Sequence, residues 1–286
     1  MRNLRILLTV ICAAVVLVGN VFSQAVGGRV EVYEKTHIPK KEPVPYKFTR
    51  EADVYWSKTI WRIIDLKEKM NLPLYYPTEA TMSRPNLVKL ITESIKNEGT
   101  KIYDPITKVE FTVETSRDEV ERGLGAGKDS ALVDGVWKFA PKDPKYEQVT
   151  KLELKELWFF NKQYSSIEVR IVGLCPIRVY SKADNNAVAD SSAAETLEQK
   201  KLFWVYYPDV RRILTQNSAF NVKNDAQNIS YDDLFTQRRF SSYIIQESNA
   251  YNDRAIVEYQ NGMDVLYESE RIKESIFTWE HDIWEY

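Results

Sequence analysis

The chain has 286 residues, of which 39 are basic and 41 acidic, giving a formal net charge of −2. This length allows one large or two small domains. The near-neutral balance argues against nucleic-acid binding, which needs a strongly basic surface. Seven Trp, 17 Tyr and 11 Phe supply ample material for a large core.

The first 23 residues are typical of an export signal. Arg2 and Arg5 precede an apolar run, Ile6 to Val18, and Val21-Phe22-Ser23 fits a cleavage site before Gln24. The run of roughly 13 residues is shorter than the ~20 that span a bilayer. We therefore predict a signal peptide over residues 1–23, with an uncleaved anchor as the alternative. Ile11 before Cys12 does not fit a lipoprotein box, so we expect no lipid attachment. Removing the two arginines takes the 39 basic residues to 37 against 41 acidic ones, about −4.

The next segment, residues 24–48, carries three prolines and no helical period. We predict an extended N-terminal arm that either reaches a neighbouring chain or docks on its own. A helix is predicted from about Thr49 to Met70, because most of its large apolar residues share one face at 100° per residue. Val54 and Trp61 fall on the charged side instead. Exposed Trp is enriched at protein interfaces, so these two residues are predicted to contact a second surface.

The remaining pattern predicts an α+β fold, with an antiparallel sheet and packed helices in one compact domain over residues 49–286. Strict alternation from Val149, interrupted at Asn161-Lys162-Gln163, predicts a long hairpin that extends to Tyr180. Residues 181–200 have no trustworthy period and are predicted to be a mobile loop, helical only at 195–200. Further predicted elements are a helix opened by Ser83-Arg84-Pro85-Asn86 and ended by Gly99, two short strands within 100–113, a helix at 116–122, a strand at 202–207, helices at 208–214 and 230–239, a strand at 240–247, and a last helix from Met263 to Trp284.

Two aromatic–proline pieces resemble each other: Leu74-Tyr75-Tyr76-Pro77 and Val205-Tyr206-Tyr207-Pro208. They are interpreted as edge strands ended by proline, or as traces of a distant duplication. The arginine pairs Arg211-Arg212 and Arg238-Arg239 are either ordinary surface charges or forks that bind a partner's carboxylates. The predicted partner-binding residues are accordingly Trp61, Val54, Tyr75, Tyr76, Tyr206, Tyr207, Arg211, Arg238 and Arg239.

No catalytic, cofactor-binding or metal-binding residues are predicted. The glycine-rich stretch at 123–130 is not a phosphate loop, because Arg122 replaces the first glycine and Asp129 replaces the hydroxyl residue. Cys175 is expected to be packed and protonated, and a Cys–His enzyme would have to bring His281 to it. Zinc sites need more Cys and His ligands than the chain offers. The alternatives left open are an exported hydrolase and a carbohydrate-binding module that uses Trp61, Trp158, Trp204 and Trp279.

Three blocks of sequence resemble the GldN family of gliding-motility proteins, called PorN in non-gliding relatives. The resemblance covers nearly all of residues 31–286 and is weakest at 181–200. The blocks are Trp56 to Pro77, Lys201 to Arg211, and a C-terminal run that includes Tyr231-Asp232-Asp233-Leu234-Phe235, Arg238-Arg239-Phe240-Ser241-Ser242-Tyr243-Ile244, Glu247-Ser248-Asn249, Glu274-Ser275-Ile276-Phe277 and Trp284-Glu285-Tyr286.

This resemblance implies a non-enzymatic, periplasmic component of the type IX secretion system of Bacteroidota. It implies that copies of this chain associate with one another and with the outer-membrane lipoprotein GldK/PorK to form a ring. It also implies that the chain itself does not span a membrane, and that the ring contacts the periplasmic part of GldM/PorM, which belongs to the GldL/GldM motor. In that phylum Asp129-Ser130-Ala131 resembles a signal for periplasmic O-glycosylation, so Ser130, in a loop predicted to be flexible, is a candidate modification site.

Overall fold

The computed structural model describes residues 37–79, 84–106, 110–133, 136–181, 197–221, 223–224, 226–227 and 229–283, with the backbone only for residues 128–141. The predicted signal peptide, the first part of the predicted arm, residues 182–196 of the predicted loop and Trp284 lie outside the described residues. Residues 37–283 belong to one compact unit, His37–Tyr286.

Within the described residues the chain forms 11 strands and six α-helices, with three short 3-10 turns at Glu51–Asp53, Tyr146–Gln148 and Ile256–Glu258. The strands are β1 Val54–Asp65, β2 Ile102–Tyr103, β3 Gly127–Val133, β4 Val136–Lys142, β5 Val149–Asn161, β6 Ser166–Ser181, β7 Leu197–Lys201, β8 Trp204–Tyr206, β9 Ser218–Ala219, β10 Ile229–Ser230 and β11 Tyr243–Glu247. The helices are α1 Leu72–Tyr75, α2 Leu87–Asn97, α3 Arg117–Gly123, α4 Tyr207–Gln216, α5 Tyr231–Thr236 and α6 Asp264–Asp282.

A seven-stranded antiparallel sheet organises the molecule. Its order is β11-β1-β5-β6-β8-β2, and β7 pairs with the far end of β6. The two long strands β5 and β6 form a hairpin that pairs from Asn161 and Ser166 down to Val149 and Arg178. This confirms the α+β class and the hairpin predicted from the alternation that begins at Val149.

The predicted helix over residues 49–70 is wrong, because most of this segment is strand β1. Eight of its 12 residues are aromatic or β-branched, the types that favour strands. β1 lies between β11 and β5, and three consecutive residues in its second half, Ile60, Trp61 and Arg62, are all buried. Both faces are therefore covered at that point, and buried residues do not simply alternate with exposed ones. A short apolar stretch of this kind fits a helical wheel as well as a buried strand.

Helix starts with a local capping signal are confirmed. The side chain of Asn86 accepts hydrogen bonds from the backbone N–H groups of Val88 and Lys89 and begins α2. Ser230 and Asp233 form a reciprocal capping box that begins α5. The predicted helices at 116–122 and 208–214 and the last helix from Met263 are also present, as α3, α4 and α6.

Two further predictions are corrected by neighbouring structure. Residues 72–75 form the short helix α1, which has Pro73 in its first turn, rather than an edge strand. Residues 197–201 form strand β7, because β6 continues far enough to offer them a pairing partner. The helix predicted at 195–200 is therefore wrong over its described part.

Buried side chains form three clusters around the sheet. The largest lies between the sheet and helices α1 to α5, and includes Ile64, Leu152 and Phe235. The second lies beneath α6 and includes Ile60, Ile272 and Ile276. The third consists of Trp61, Cys175 and Trp204. Because Ile60, Arg62 and Ile64 alternate along β1, all three point to one face, and Arg62 lies between the first two clusters.

Candidate interaction surfaces

The boundary between the first two clusters holds a buried carboxylate with two arginines. Glu156 on β5 is completely buried and accepts hydrogen bonds from Arg238 at 2.8 and 3.3 Å. The indole N–H of Trp158 donates to the same carboxylate at 2.9 Å. Charge-assisted, two-pronged bonds of this kind are the strong ones. Arg238 thus makes the two-pronged contact that was predicted for a partner's carboxylate, but it makes it with Glu156 of its own chain.

Arg62 completes this charged group from strand β1. One of its terminal nitrogens lies 3.8 Å from a Glu156 oxygen, and its Nε is buried without a hydrogen-bond partner among the described residues. Burial lowers the pKa of Arg62, although the neighbouring Glu156 opposes this. The group joins β1, β5 and the turn after α5 and is a structural feature of the interior.

Arg211 and Tyr207, two more of the predicted partner-binding residues, are also buried. The Tyr207 hydroxyl donates to Asp232 at 2.6 Å, and the Nε of Arg211 donates to the same oxygen at 3.1 Å. Burial raises the pKa of Tyr207 well above its usual value, and the charge of Asp232 adds to the effect. The Arg211 guanidinium also lies 4.3 Å from the ring centre of Tyr46. These residues hold α4, α5 and the N-terminal segment together.

Trp61 is 4% exposed, so the exposure inferred from its place on a helical wheel is wrong. Its indole N–H donates to Glu110 at 2.8 Å, and Glu110 also accepts from Lys155 at 2.8 Å. The Lys155 ammonium lies 4.9 Å from the Trp61 ring centre. As a strand residue, Trp61 points to the face occupied by Cys175 and Trp204 rather than to solvent.

Cys175 is fully buried, and burial raises the pKa of its thiol. Its neighbour across the hairpin is Glu153, which is 1% exposed and pairs with Lys201 at 2.7 Å. Burial also raises the pKa of Glu153, although Lys201 opposes this. A thiol in such a place is protonated and shielded, as the sequence predicts for a packed cysteine. His281 is exposed near the end of α6.

The remaining predicted contact residues lie nearer the surface. Tyr76, Tyr206 and Arg239 are exposed, whereas Val54 and Tyr75 are half-buried. Ser130 lies in β3 opposite Phe139 in the backbone register, and not in the flexible loop that the sequence predicted. Of the four tryptophans considered for a sugar-binding platform, Trp61 and Trp204 are buried, and Trp279 stacks on Trp56 at 4.6 Å.

The N-terminal segment from residue 37 follows one of the two alternatives predicted for the arm. Ile38 is buried, Lys41 pairs with Asp233 at 2.6 Å, and Arg170 donates to the Lys47 carbonyl oxygen at 2.7 Å. The described part of the predicted arm therefore packs on its own chain. The outer side of α6, which exposes Leu266, Tyr267 and Phe277, was not predicted from the sequence.

Across the described residues, no three His, Cys, Asp or Glu side chains are grouped so that they could hold a metal ion. None of the described helices combines the length and apolar character needed to cross a membrane.

A family model described as "Gliding motility associated protein GldN" matches residues 49–285, which is most of the chain. The chain belongs to the GldN family. The matched range begins just before β1 and runs past the end of α6, so the GldN region contains the whole central sheet and all six helices. Among curated proteins, none matches this GldN-family chain. The match confirms the family resemblance of the three sequence blocks and associates the protein with gliding motility.

Proposed function

We propose that this protein is a non-enzymatic structural subunit of the type IX secretion and gliding machinery, required for protein secretion and for gliding. The observation that carries the proposal is the family match, which extends over residues 49–285 and so includes the central sheet and the described helices. The association with gliding motility belongs to the family, and the structural role in secretion is the proposed refinement.

In the proposed assembly, the chain forms a ring with an outer-membrane lipoprotein of the GldK/PorK kind and contacts the periplasmic part of GldM/PorM, which couples it to the GldL/GldM motor. The sequence blocks that resemble the family support these partners. Among the predicted contact residues, Tyr76, Tyr206 and Arg239 have the exposure that a partner requires. Trp61, Tyr207 and Arg211 are buried within this chain, so their side chains are not available to a partner.

The proposed location is the periplasm, with attachment to the outer membrane through the lipoprotein. The charge and apolar pattern of residues 1–23 supports export followed by cleavage. Mass spectrometry of the protein recovered from the envelope tests this. We expect an N-terminus at Gln24, and a retained Met1 would contradict it.

The non-enzymatic role is supported by the chemistry of the buried polar groups. The thiol of Cys175 is shielded by burial, and the carboxylates of Glu156 and Asp232 are engaged by arginines of the same chain. The two carboxylates stabilise the fold through these ion pairs, and the thiol is packed in the interior.

Modification of Ser130 is a separate part of the proposal. The supporting observation is the tripeptide Asp129-Ser130-Ala131, which lies in β3. The intact mass of the exported wild-type chain is expected to exceed that of its Ser130→Ala variant by a glycan in addition to the one oxygen atom. A difference of one oxygen atom alone would contradict this part.

The proposed function is tested by deleting the gene and complementing it with the wild-type gene or with a Cys175→Ala variant. We expect deletion to abolish both secretion and gliding, and both genes to restore them, because a scaffold does not need a reactive thiol. Normal secretion in the deletion strain would contradict the structural role. Failure of a stably folded Cys175→Ala chain to restore secretion would favour a thiol enzyme.

A further inference from the structure

The first part of strand β1 has a neighbouring strand on one side only. β5 pairs with β1 from Val54 to Asp65, whereas β11 pairs with it only from Ile60 to Ile63. Within the described residues, the sheet order places no other strand beside Val54–Lys58 on the β11 side. We call this side of residues 54–58 the open edge. Unpaired strand edges are templates on which an extended segment of another chain can add a strand.

The open edge has backbone hydrogen-bonding groups that point outward. The C=O of Thr59 accepts from the backbone N–H of Ser248 at 2.9 Å, and the N–H of Thr59 donates to the Ser248 hydroxyl at 3.1 Å. Thr59 therefore points both groups toward β11. Because backbone groups alternate in direction along a strand, the N–H and C=O of Ser57 point the same way. They lie in the open edge, one step beyond the end of β11.

The edge is open because β11 ends at Glu247 and the chain then turns. The side-chain oxygen of Asn249 accepts from the backbone N–H of Tyr251 at 3.0 Å, which is typical of such a turn. The outer side of β11 itself is covered, since the N–H of Ile244 donates to the Ser269 hydroxyl of α6 at 2.9 Å. A strand that continued the line of β11 beside β1 would therefore fit at residues 54–58.

The side chains at the open edge form one half-buried face and one exposed face. Trp56 and Lys58 are half-buried, whereas Tyr55 and Ser57 are exposed. Trp56 lies beneath α6, where the ring of Trp279 stacks on it at 4.6 Å. An added strand should accordingly have apolar side chains on the side of Trp56 and polar ones on the side of Ser57.

The N-terminal sequence after the predicted cleavage site contains a segment with this pattern. Val30 and Val32 alternate with Arg29 and Glu31, and Tyr33 follows. Valine and tyrosine favour strands, and alternation of apolar with charged residues is typical of a strand with one buried face. These residues precede the described part of the chain, which begins at residue 37.

The described part of the arm limits how far this segment can reach. Ile38 is buried and Lys41 pairs with Asp233 at 2.6 Å, so the chain is anchored just after His37. The four residue steps from Tyr33 to His37 span at most roughly 13–14 Å. If the segment binds another copy, the anchored end of one molecule lies close to the open edge of the next. These are unlike surfaces, so such a contact repeats head to tail.

We infer that residues 29–33 of one copy of this chain add a strand to the open edge of the next copy. In this contact the N–H and C=O of Ser57 bond to the backbone of the added strand. Val30 and Val32 lie on the side of Trp56, and Glu31 lies on the exposed side. The inference rests on the proposed function, since it names the contact through which such a subunit would repeat around a ring.

Disulfide crosslinking between two differently tagged copies tests this contact. The acceptor copy carries Ser57→Cys, and each donor copy carries one cysteine at a position from 29 to 33. All copies carry Cys12→Ser, retain the buried Cys175, and are coexpressed with the lipoprotein partner and oxidised. Since each chain has one introduced thiol, a Ser57→Cys adduct with a donor can form only between molecules. Donor positions 30 and 32 are the matched controls, because their side chains point away from Ser57.

We expect the best of positions 29, 31 and 33 to give at least about tenfold more adduct than position 30 or 32. Equal yields at all five positions would overturn the inference, because they indicate that the segment does not pair as a strand. A chain that carries both Ser57→Cys and Glu31→Cys provides a further control. If it forms the disulfide only within itself, the segment binds its own chain and the inference is overturned.

A proline at position 57 tests the backbone bonds separately. Ser57→Pro removes the N–H that points into the open edge, and the pairing of β1 with β5 does not use this group. We expect the variant to fold and to lose the contact between copies, whereas Ser57→Ala, which keeps the N–H, should assemble like wild type. A folded Ser57→Pro chain that still assembles would overturn the inference. Unfolding of Ser57→Pro alone would show that its N–H is used within the chain, which also overturns it.

The lipoprotein in the same samples separates this inference from the proposed function. Recovery of the lipoprotein complex without any adduct of Ser57→Cys would overturn the inference and leave the proposed function standing. Adducts at positions 29, 31 or 33 without lipoprotein binding would support the inference and contradict the proposed function.

Discussion

The carboxylate of Glu156 and the guanidinium of Arg238 form a two-pronged ion pair across 82 residues of sequence, at 2.8 and 3.3 Å. Glu156 is completely buried in the middle of the sheet, whereas the side chain of Arg238 is 31% exposed. The pair ties the turn after α5 to strand β5. It also lies between the cluster beneath α6 and the larger cluster beneath the other helices.

Removing one partner of this pair should be costly, because it leaves a buried charge without its main donor. We expect Arg238→Ala to lower the free energy of unfolding by about 3 kcal/mol or more. Arg239→Ala is the matched control: the neighbouring arginine is exposed, so its loss should change stability by no more than about 0.5 kcal/mol. Urea unfolding measures both, and equal effects of the two substitutions would contradict the described geometry.

Trp61→Ala should destabilise the fold itself. The substitution removes a large buried side chain and leaves Glu110 without one of its donors. The expected loss in the free energy of unfolding is about 3–5 kcal/mol. Tyr55→Ala on the same strand, where the side chain is exposed, should cost far less. An unchanged melting curve for Trp61→Ala would show that this tryptophan is on the surface.

Asp233 should stabilise the protein in a pH-dependent way. Burial opposes its ionisation, but hydrogen bonds from Lys41 and Ser230 outweigh burial and hold its pKa below the usual value. Because the folded pKa is the lower one, the contribution is present above the unfolded pKa of about 3.9 and is lost as the pH falls through the folded value.

We therefore expect Asp233→Asn to lower the melting temperature at pH 7 by about 2–4 °C, the shift that corresponds to roughly 1 kcal/mol in a domain of this size. The difference from wild type should shrink as the pH is lowered below about 4. Asp209→Asn, at an exposed position in the first turn of α4, is the control. A difference that persists undiminished at low pH would show that the charge of Asp233 is not involved.

Cys175 should be unreactive in the folded chain, because burial raises the pKa of its thiol and blocks access. In a Cys12→Ser chain at pH 8, a disulfide reagent should modify Cys175 at a negligible rate until denaturant is added. Rapid stoichiometric modification of the native protein would indicate an accessible thiolate and reopen the hydrolase alternative.

Sequence reasoning succeeded where the information is local. Asn86 and Ser230 bond to backbone N–H groups only two or three residues away, so the starts of α2 and α5 are visible in the sequence itself. The alternation in β5 and β6 is likewise local, because the two strands are joined by a short turn.

The same reasoning failed for β1 because its charges are compensated from far away. Lys58 and Arg62 suggested the polar face of a helix. In the structure, Lys58 pairs with Glu247 at 2.6 Å and Arg62 lies beside Glu156. A strand in the middle of a sheet can contain such residues when other strands supply the counter-charges, and a wheel drawn on one segment cannot show this.

The contact residues were the least predictable part, because burial depends on tertiary packing. Arg238 and Arg239 are adjacent in the sequence, yet the first binds the interior carboxylate of Glu156 and the second is exposed. Tyr206 and Tyr207 divide in the same way at the start of α4. When two identical residues are adjacent, the sequence alone does not show which of them is buried and which is exposed.

Recovery of this chain on the GldK/PorK-like lipoprotein tests the central claim most directly. The lipoprotein is tagged in cells that express both proteins at native levels, the envelope is solubilised, and the molar ratio of the two proteins is measured after size-exclusion chromatography. We predict co-elution in one large complex at a fixed ratio. Elution of this chain as a monomer, with the tagged lipoprotein in separate fractions, would contradict its role as an assembly subunit.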